Sequence, residues 1–388
     1  MQIRDLERIF VYHAPQYPGF TSWVGLWNMP DDSVMCSFIQ ATGPLDGRPK
    51  APETVRQYLT WPPVGHGDEY DMTGLDLRHV HLRSTDCGRS WTQVSAPPFT
   101  SCMNGAPGEA EEVYPDSRAA FGGVILRGIW GPYLPYDDDV PRNGFLQRSN
   151  DGARTWGPPE LFYEAENTMF WAKRLRPLRD GRWLAGGGLF FIHPEYDNRR
   201  DWFRDMTMAL FVGDAEARNW TGPISIIPDD QRGEFAGEEF DWAELEDGDL
   251  LCVLRTETLP TFDARDAGQQ RRITRLTRSG ESWKPTRVEM APFPHSGHPD
   301  VLRTREGLVL HLATSAISAS ADDGQSWIHF DLAPATAWQG WCGPGTPYYP
   351  KAVQLPNGEI LVLGHVGGDN GYGTIDQAIV GMRFRLDP

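Results

Sequence analysis

The octapeptide Ser84-Thr-Asp-Cys-Gly-Arg-Ser-Trp91 constrains this chain more than any other stretch, because it recurs. Its Asp and Ser side chains hydrogen-bond the backbone of their own turn, Gly88 supplies a positive φ, and Trp91 sets a large apolar plate where a strand resumes. Ser320-Ala-Asp-Asp-Gly-Gln-Ser-Trp327 matches S-x-D-x-G-x-[S/T]-W at every fixed position. Ser149-Asn-Asp-Gly-Ala-Arg-Thr-Trp156 matches except that Ala153 replaces the glycine and Gly152 precedes it. Eroded copies lie around Gly280-Glu-Ser-Trp283 and Asn219-Trp220. The recurrence predicts an internal repeat built on β-hairpins.

A second element alternates with the first. Leu178-Arg-Asp-Gly-Arg-Trp-Leu184, Leu245-Glu-Asp-Gly-Asp-Leu-Leu251, Leu302-Arg-Thr-Arg-Glu-Gly-Leu308 and Leu355-Pro-Asn-Gly-Glu-Ile-Leu361 each read as a strand, a tight turn and a second apolar strand. Weaker members run from Asn28 to Val34 and from Ala119 to Ile125. Six units follow, at about 20–96, 112–161, 167–226, 237–289, 296–332 and 345 to the end. No linker or charge run divides them, so residues 1–388 are expected to form a single all-β domain. Ile3 to His13 reads as a strand without a turn partner, and the sixth unit is one strand short. A ring of sheets closes its edges most simply when the first strand completes the last sheet.

Composition narrows the partners. A net charge of −17 argues against nucleic acid or an anionic membrane surface as partner, while leaving room for a local basic pocket, and no run of eighteen apolar residues occurs. Cys36, Cys87, Cys102, Cys252 and Cys342 are odd in number and widely spaced, which predicts free buried thiols in a reducing compartment. The first residues lack a signal-peptide pattern, so the expected location is the cytoplasm, or outside the cell if a leader has been removed. The acidic run in Pro132–Pro141 lacks the alternating oxygens of a Ca²⁺ cage, and neither metal nor cofactor is expected. The oligomeric state is left open.

The repeat also fixes a phase. If each unit uses the same inner strand, the residue nine before the turn glycine lies at one common height facing one central funnel. That rule selects Trp23 (with Asp32 standing for glycine), Tyr114, Ala172, Glu239, His298 and Tyr349, with Trp171 beside the alanine. So polar and aromatic a ring predicts a ligand cavity rather than a core layer. The long, proline-rich insertion between Gly43 and Gly74 is expected to form a functional rim. Phe191–Asp205, and the Gly364–Gly373 segment with His365 and Asp369, are read equally as pocket edge or plain loop.

The S-x-D-x-G-x-[S/T]-W turns on a six-unit all-β chain resemble the Asp boxes, or BNR repeats, of the sialidase superfamily, over nearly the whole chain. The resemblance implies a six-bladed β-propeller of four-stranded antiparallel blades. It also implies site residues. Glu239, Glu244-Leu-Glu-Asp-Gly-Asp-Leu250 and Arg255 fall at the spacings of the family's catalytic Glu and a carboxylate-binding Arg. Tyr349, ahead of Leu355-Pro-Asn-Gly358, corresponds to its nucleophilic tyrosine, and Asp71 to its acid/base, with Asp68 and Asp76 as rivals. The chain departs from the family at Thr21-Ser-Trp-Val24, where F-R-I-P is expected, and at Ala316–Ala319, where another Arg is expected.

Three functions follow. In the first, a sialidase-like glycoside hydrolase uses Tyr349, Glu239 and Asp71 on a terminal, acidic or neutral sugar, with Arg255, His298, Trp23, Tyr114 and Trp171 binding a small-molecule or oligosaccharide substrate. In the second, Tyr349 and His298 serve a lyase that removes the proton α to a uronate carboxylate. In the third, the ring binds a glycan or protein without chemistry. For Arg255 an ion pair with a Glu such as Glu257 is the structural alternative.

Overall fold

A computed structural model describes residues 1–16, 19–44, 46–49, 74–98, 112–113, 119–121, 123–130, 144–158, 160–191, 205–258, 269–293, 298–313, 316–330, 332, 348–365 and 378–387. After an N-terminal strand β1 (Gln2–His13), the chain lays down six antiparallel sheets in sequence order. Blade 1 is β2 (Gly19–Asn28), β3 (Val34–Thr42), β4 (Asp76–Ser84) and β5 (Thr92–Ser95). Blade 2 starts with β6 (Glu112–Val113) and β7 (Ala119–Phe121), both paired to β8 (Val124–Trp130), then β9 (Gly144–Ser149) and β10 (Glu160–Tyr163). Blade 3 is β11 (Thr168–Pro177), β12 (Trp183–Phe191), β13 (Met206–Gly213) and β14 (Trp220–Ser225). Blade 4 is β15 (Phe235–Glu244), β16 (Leu250–Thr258), β17 (Gln269–Ser279) and β18 (Ser282–Pro285), with β19 (Glu289–Met290) added to β17. Blade 5 is β20 (Asp300–Arg303), β21 (Val309–Leu312), β22 (Ile317–Ser320) and β23 (Ile328–Phe330). Blade 6 is β24 (Tyr348–Gln354), β25 (Ile360–His365) and β26 (Ala378–Asp387), and β1 pairs with β26 as its fourth strand. Each blade meets the next along its inner strand, β11 reaching β15 through Lys173–Glu239 and Arg174–Asp241, and β24 meets β2, so the molecule is a closed six-bladed β-propeller.

The turns explain why the sequence repeats. At the end of each inner strand a residue with φ between 63° and 89° reverses the chain: Asp32, Gly123, Gly181, Gly248, Gly307 and Gly358. Asp32 stands where glycine is usual. In the other turn type, Ser84 Oγ accepts from Gly88 N–H at 2.8 Å while Asp86 accepts from Ser90 N–H and Ser90 Oγ–H at 2.9 and 2.6 Å. Ser149/Asp151 and Ser320/Asp322 repeat this pattern. Two successive residues are left-handed in each: Cys87–Gly88, Gly152–Ala153 and Asp323–Gly324. The shifted glycine at 152 is therefore no defect, because it fills the other strained position.

Among the described residues the apolar core forms six clusters, one per seam between blades. Trp27 and Ile125 join blades 1 and 2, Leu126 and Phe170 blades 2 and 3, and Leu210 and Phe240 blades 3 and 4. Val253 and Val309 join blades 4 and 5, Leu310 and Val362 blades 5 and 6, and Phe38 and Leu361 blades 6 and 1. Each repeat tryptophan packs back on the preceding blade: Trp91 on 6, Trp156 on 1, Trp220 on 2, Trp283 on 3 and Trp327 on 4. Blade 6 lacks such a turn, and β1 replaces it, sending Ile3 and Leu6 to one seam and Ile9 and Val11 to the other.

Cys36, Cys87 and Cys252 are free, as expected, but only Cys36 and Cys252 are buried. Cys87 is partly exposed because it occupies a left-handed turn position at the end of its blade. Cys102 and Cys342 lie outside the described residues.

The turn carboxylates generate a pH prediction. Hydrogen bonds from Ser90, Thr155 and Ser326 hold Asp86, Asp151 and Asp322 each at about 2. A carboxylate whose folded pKa is depressed stabilises the fold above its unfolded pKa, about 3.9, and that contribution is lost as pH falls through the folded value. Asp151→Asn is expected to be less stable than the parent at pH 6. In urea denaturation the difference should close between about pH 4 and 2.

Candidate functional site

The inner strands do not run straight past the funnel. Register breaks between Ser22 and Gly25, Ala172 and Arg174, and Tyr348 and Lys351 place a bulge at matching heights in blades 1, 3 and 6, and the break between Ala236 and Glu239 places one about two residues farther from the turn in blade 4. A bulge adds a residue to one strand and re-aims its side chains. Close glycine contacts make room: a Cβ on Gly187 would lie 1.8 Å from Trp171 O, and one on Gly188 2.8 Å from Glu238 Cβ.

Glu239 and Arg255 are direct cross-strand partners on β15 and β16. Arg255 Nη1–H donates to Glu239 Oε2 at 2.7 Å and to the Tyr349 hydroxyl at 3.0 Å, so one nitrogen joins blades 4 and 6. Arg255 thus pairs with Glu239, and the side chain of Glu257 is outside the described set. Lys173 Nζ bonds the other Glu239 oxygen at 3.3 Å and Glu238 at 3.1 Å, and sits 3.9 Å above the Trp171 ring. Burial would raise the Glu239 pKa, but Arg255 and Lys173 hold its carboxyl well below the usual range. Arg255 is raised well above its ordinary value by Glu239 and Tyr349, against the effect of burial. Beside it on β17, Arg271 falls to about 9 because it is buried next to Arg255.

Tyr349 has φ +50°, uncommon for a bulky residue, and Pro350 follows it. A left-handed conformation of this kind costs about 1–3 kcal/mol and persists only where its surroundings impose it. Its ring lies between two imidazoles, His298 at 6.3 Å and His365 at 5.9 Å. Burial drives both toward the neutral form, His365 to about 3. Two residues deeper on the inner strands, Arg174, Asp241, Asp300 and Lys351 form a buried charged floor. Asp241 binds Arg174 at 3.1 Å and Arg176 at 2.7 Å, and Asp300 binds Arg174 and lies 4.0 Å from Lys351.

The rule of nine residues is corrected in blade 3. Ala172 is only 1% exposed and packs in the seam between blades 2 and 3, because the bulge gives the funnel position to Lys173. Trp171 is 5% exposed and its ring faces Lys173 and Phe190, so it supports the ammonium rather than offering a sugar platform. His298 is present at the expected height but buried, with Nδ1 2.6 Å from Pro299 O and 3.3 Å from Lys351 Nζ. Asp76 begins β4, with its side chain 55% exposed and paired to Arg78 at 2.9 Å. Asp68, Asp71 and Tyr114 lie outside the described residues, as do Asp369 and most of the three insertions. Trp23 belongs to β2, and its side chain is outside the described set.

Lys173, Glu238, Arg271 and Lys351 were not anticipated. Lys351 carried a signal, since it lies two residues beyond Tyr349 on the same inner strand; Arg271 did not, since only strand pairing brings it beside Arg255. At the opposite end of the ring, a cavity of about 310 Å³ between blades 1, 5 and 6 is lined by Asn28, Asp32, Arg303, Arg305 and Gln354. Its arginines bond neighbouring backbone carbonyls, so this end is braced.

The chain matches no protein-family model, and no curated protein sequence matches it. Solved structures do. A protein of unknown function from Dyadobacter fermentans DSM 18053 aligns over 99% of both chains at 18% identity with a TM-score of 0.64. The leech intramolecular trans-sialidase complexed with 2,7-anhydro-Neu5Ac aligns over 98% of this chain and 70% of its own, at 10% identity and TM-score 0.59. The Penicillium chrysogenum alpha-L-arabinanase complexed with arabinobiose aligns over 98% and 97%, at 13% identity and TM-score 0.56. At these identities the likeness is one of fold.

The glycine seat makes a direct prediction. Gly187→Ala forces a methyl against the Trp171 carbonyl of the blade 3 bulge, and overpacking of this kind costs about 3 kcal/mol. Chemical denaturation should show that loss.

Proposed function

We propose that this chain, which carries the six-bladed propeller fold found in sialidases, is a glycoside hydrolase that removes a terminal acidic sugar through a tyrosine nucleophile. The observation that carries the reading is the single Arg255 nitrogen hydrogen-bonded to both the Glu239 carboxylate and the Tyr349 hydroxyl. A phenol is a poor nucleophile at neutral pH, and needs both a proton acceptor and a group that stabilises charge on its oxygen. Glu239 supplies the first and Arg255 the second.

The chemistry balances in two steps. Tyr349 Oη bonds to the anomeric carbon while its proton passes to Glu239, the glycosidic bond breaks, and the leaving oxygen takes a proton from an acid on the mouth rim, the role assigned to Asp71. Water then attacks the glycosyl-tyrosine, giving a proton to that rim carboxylate, while the phenol oxygen recovers its proton from Glu239. Lys173, Arg174, Arg176, Arg255, Arg271 and Lys351 outnumber Glu238, Glu239, Asp241 and Asp300 around the funnel, although the whole protein carries −17. A cationic cavity and a neutral phenol both suit an anionic sugar better than a carboxylate nucleophile would. The trans-sialidase and the arabinanase among proteins of this fold support sugar as the substrate class.

The lyase reading rests on the neutral His298 ring near Tyr349, and its 2% exposure counts against it as a base for a bound sugar. Tyr349→Phe is expected to reduce turnover of aryl glycosides of acidic sugars by at least about 10³-fold, while the affinity for the free sugar, followed by calorimetry, changes little. Unchanged turnover removes Tyr349 from the nucleophile's role. An unsaturated product absorbing in the ultraviolet would favour the lyase, and ligand binding without turnover in the parent would favour a binding propeller.

A further inference from the structure

We infer that Lys173 is a positioning residue for the Tyr349/Glu239 pair: with Arg255 it divides the two oxygens of the Glu239 carboxylate and fixes which oxygen faces the tyrosine. The inference deepens the hydrolase reading and rests on it for its kinetic consequence, but the clamp itself stands on geometry. Oε1 receives Lys173 at 3.3 Å and Oε2 receives Arg255 at 2.7 Å, so neither the rotation nor the protonation of the carboxylate is left open. The resemblance that drew attention to Glu239, Arg255 and Tyr349 assigns nothing to residue 173.

Lys173 is itself built into place. The bulge between Ala172 and Arg174 turns it toward the funnel, its side chain is 5% exposed, Trp171 lies beneath the ammonium, and Glu238 receives its second contact at 3.1 Å. An ammonium held over an aromatic face and between two carboxylates has little freedom to leave. Gly187 and Gly188 on β12 provide the space in which both bulges fit. The charged or titratable groups facing Glu239 come from every neighbouring element: Lys173 from β11, Glu238 from β15, Arg255 from β16, Arg271 from β17, His298 ahead of β20 and Tyr349 from β24. Of these, Lys173 and Arg255 touch the carboxylate through opposite oxygens. Losing Lys173 therefore frees Oε1 and leaves Glu238 and Glu239 facing one another without the cation between them.

The consequence has a fixed sign. Two adjacent cations lower the carboxyl pKa, so removing one raises it, and a carboxylate that must accept the phenol proton then becomes protonated at a higher pH. A merely structural lysine would reduce activity at all pH values alike.

The test uses the full chain labelled with ¹³C at glutamate Cδ, the Glu239 resonance being identified by its loss in Glu239→Gln. In the parent that carboxyl should remain ionised to the lowest pH at which the protein stays folded. In Lys173→Met its midpoint should rise by a factor of ten or more in proton affinity, and Lys173→Arg should restore most of the parent value. Lys173→Gln, which keeps a polar chain of similar reach, serves if the Met variant does not fold. With an aryl glycoside that the parent hydrolyses, the acid limb of kcat/KM should move upward by the same factor in the Met or Gln variant and return in the Arg variant. A Glu239 midpoint unmoved by loss of Lys173 overturns the inference. A midpoint that moves in a protein that hydrolyses no glycoside upholds the clamp and refutes the hydrolase reading instead.

Discussion

The arrangement depends on carboxylates that reach from one inner strand to the backbone of the next. Asp241 accepts from Val301 N–H at 2.6 Å and Asp300 from Ala352 N–H at 2.8 Å, so blades 4, 5 and 6 are held at one height by the same device used twice. Burying such charges is costly, and the cost is offset only where partners and backbone donors satisfy them. Here Arg174 serves both carboxylates, with Arg176 and Lys351 alongside. The alignment matters above this floor. Glu239 and Tyr349 come from different blades, and a slip of one residue between β15 and β24 would turn one of them away from the funnel.

Lower down, the turns repeat a second stitch. Arg179 N–H donates to Glu244 at 2.8 Å and Arg305 N–H to Gln354 Oε1 at 2.7 Å, and each guanidinium then reaches a carbonyl of the same neighbouring turn. Between blades 4 and 5 the charges are exchanged, with Glu246 on the earlier turn and Arg303 on the later one, 3.4 Å apart. The braced end leaves variation to the other. There the chain leaves and re-enters the sheets between β3 and β4, β8 and β9, β12 and β13, β16 and β17, and β25 and β26, on the side where Glu239 and Tyr349 face the funnel. A rigid ring with variable connections at one end is the usual division of labour in a β scaffold that carries a site.

Much of this was legible because its causes are local. A glycine or aspartate with positive φ announces a hairpin, and a Ser/Asp pair announces a turn that braces itself, so the number of blades and the direction of the inner strands could be read directly. Glu239, Arg255 and Tyr349 followed from the phase and the resemblance together. The bulges were not legible, since nothing in Trp171-Ala-Lys-Arg174 marks the extra residue, and simple alternation therefore chose Ala172 over Lys173. Nor did the sequence separate an aromatic platform from an aromatic support: Trp171 proved to be the latter because Lys173 covers it. Arg271 depended on a pairing between strands separated by a long connection, which no local pattern records.

The pairing of β1 with β26 also bears on how the molecule is made. β1 precedes every blade in the chain, and its partner follows only after five blades have been synthesised. Until then β1 has a hydrophobic edge and no sheet to join, while the seams on either side of blade 6 stay open to solvent. Contacts of such sequence separation form late and slowly, and unpaired edges invite association with other chains. The nascent propeller is therefore most exposed to aggregation just before β26 is made, and translation pausing at that point or a chaperone that shields β1 would act while the ring is still open.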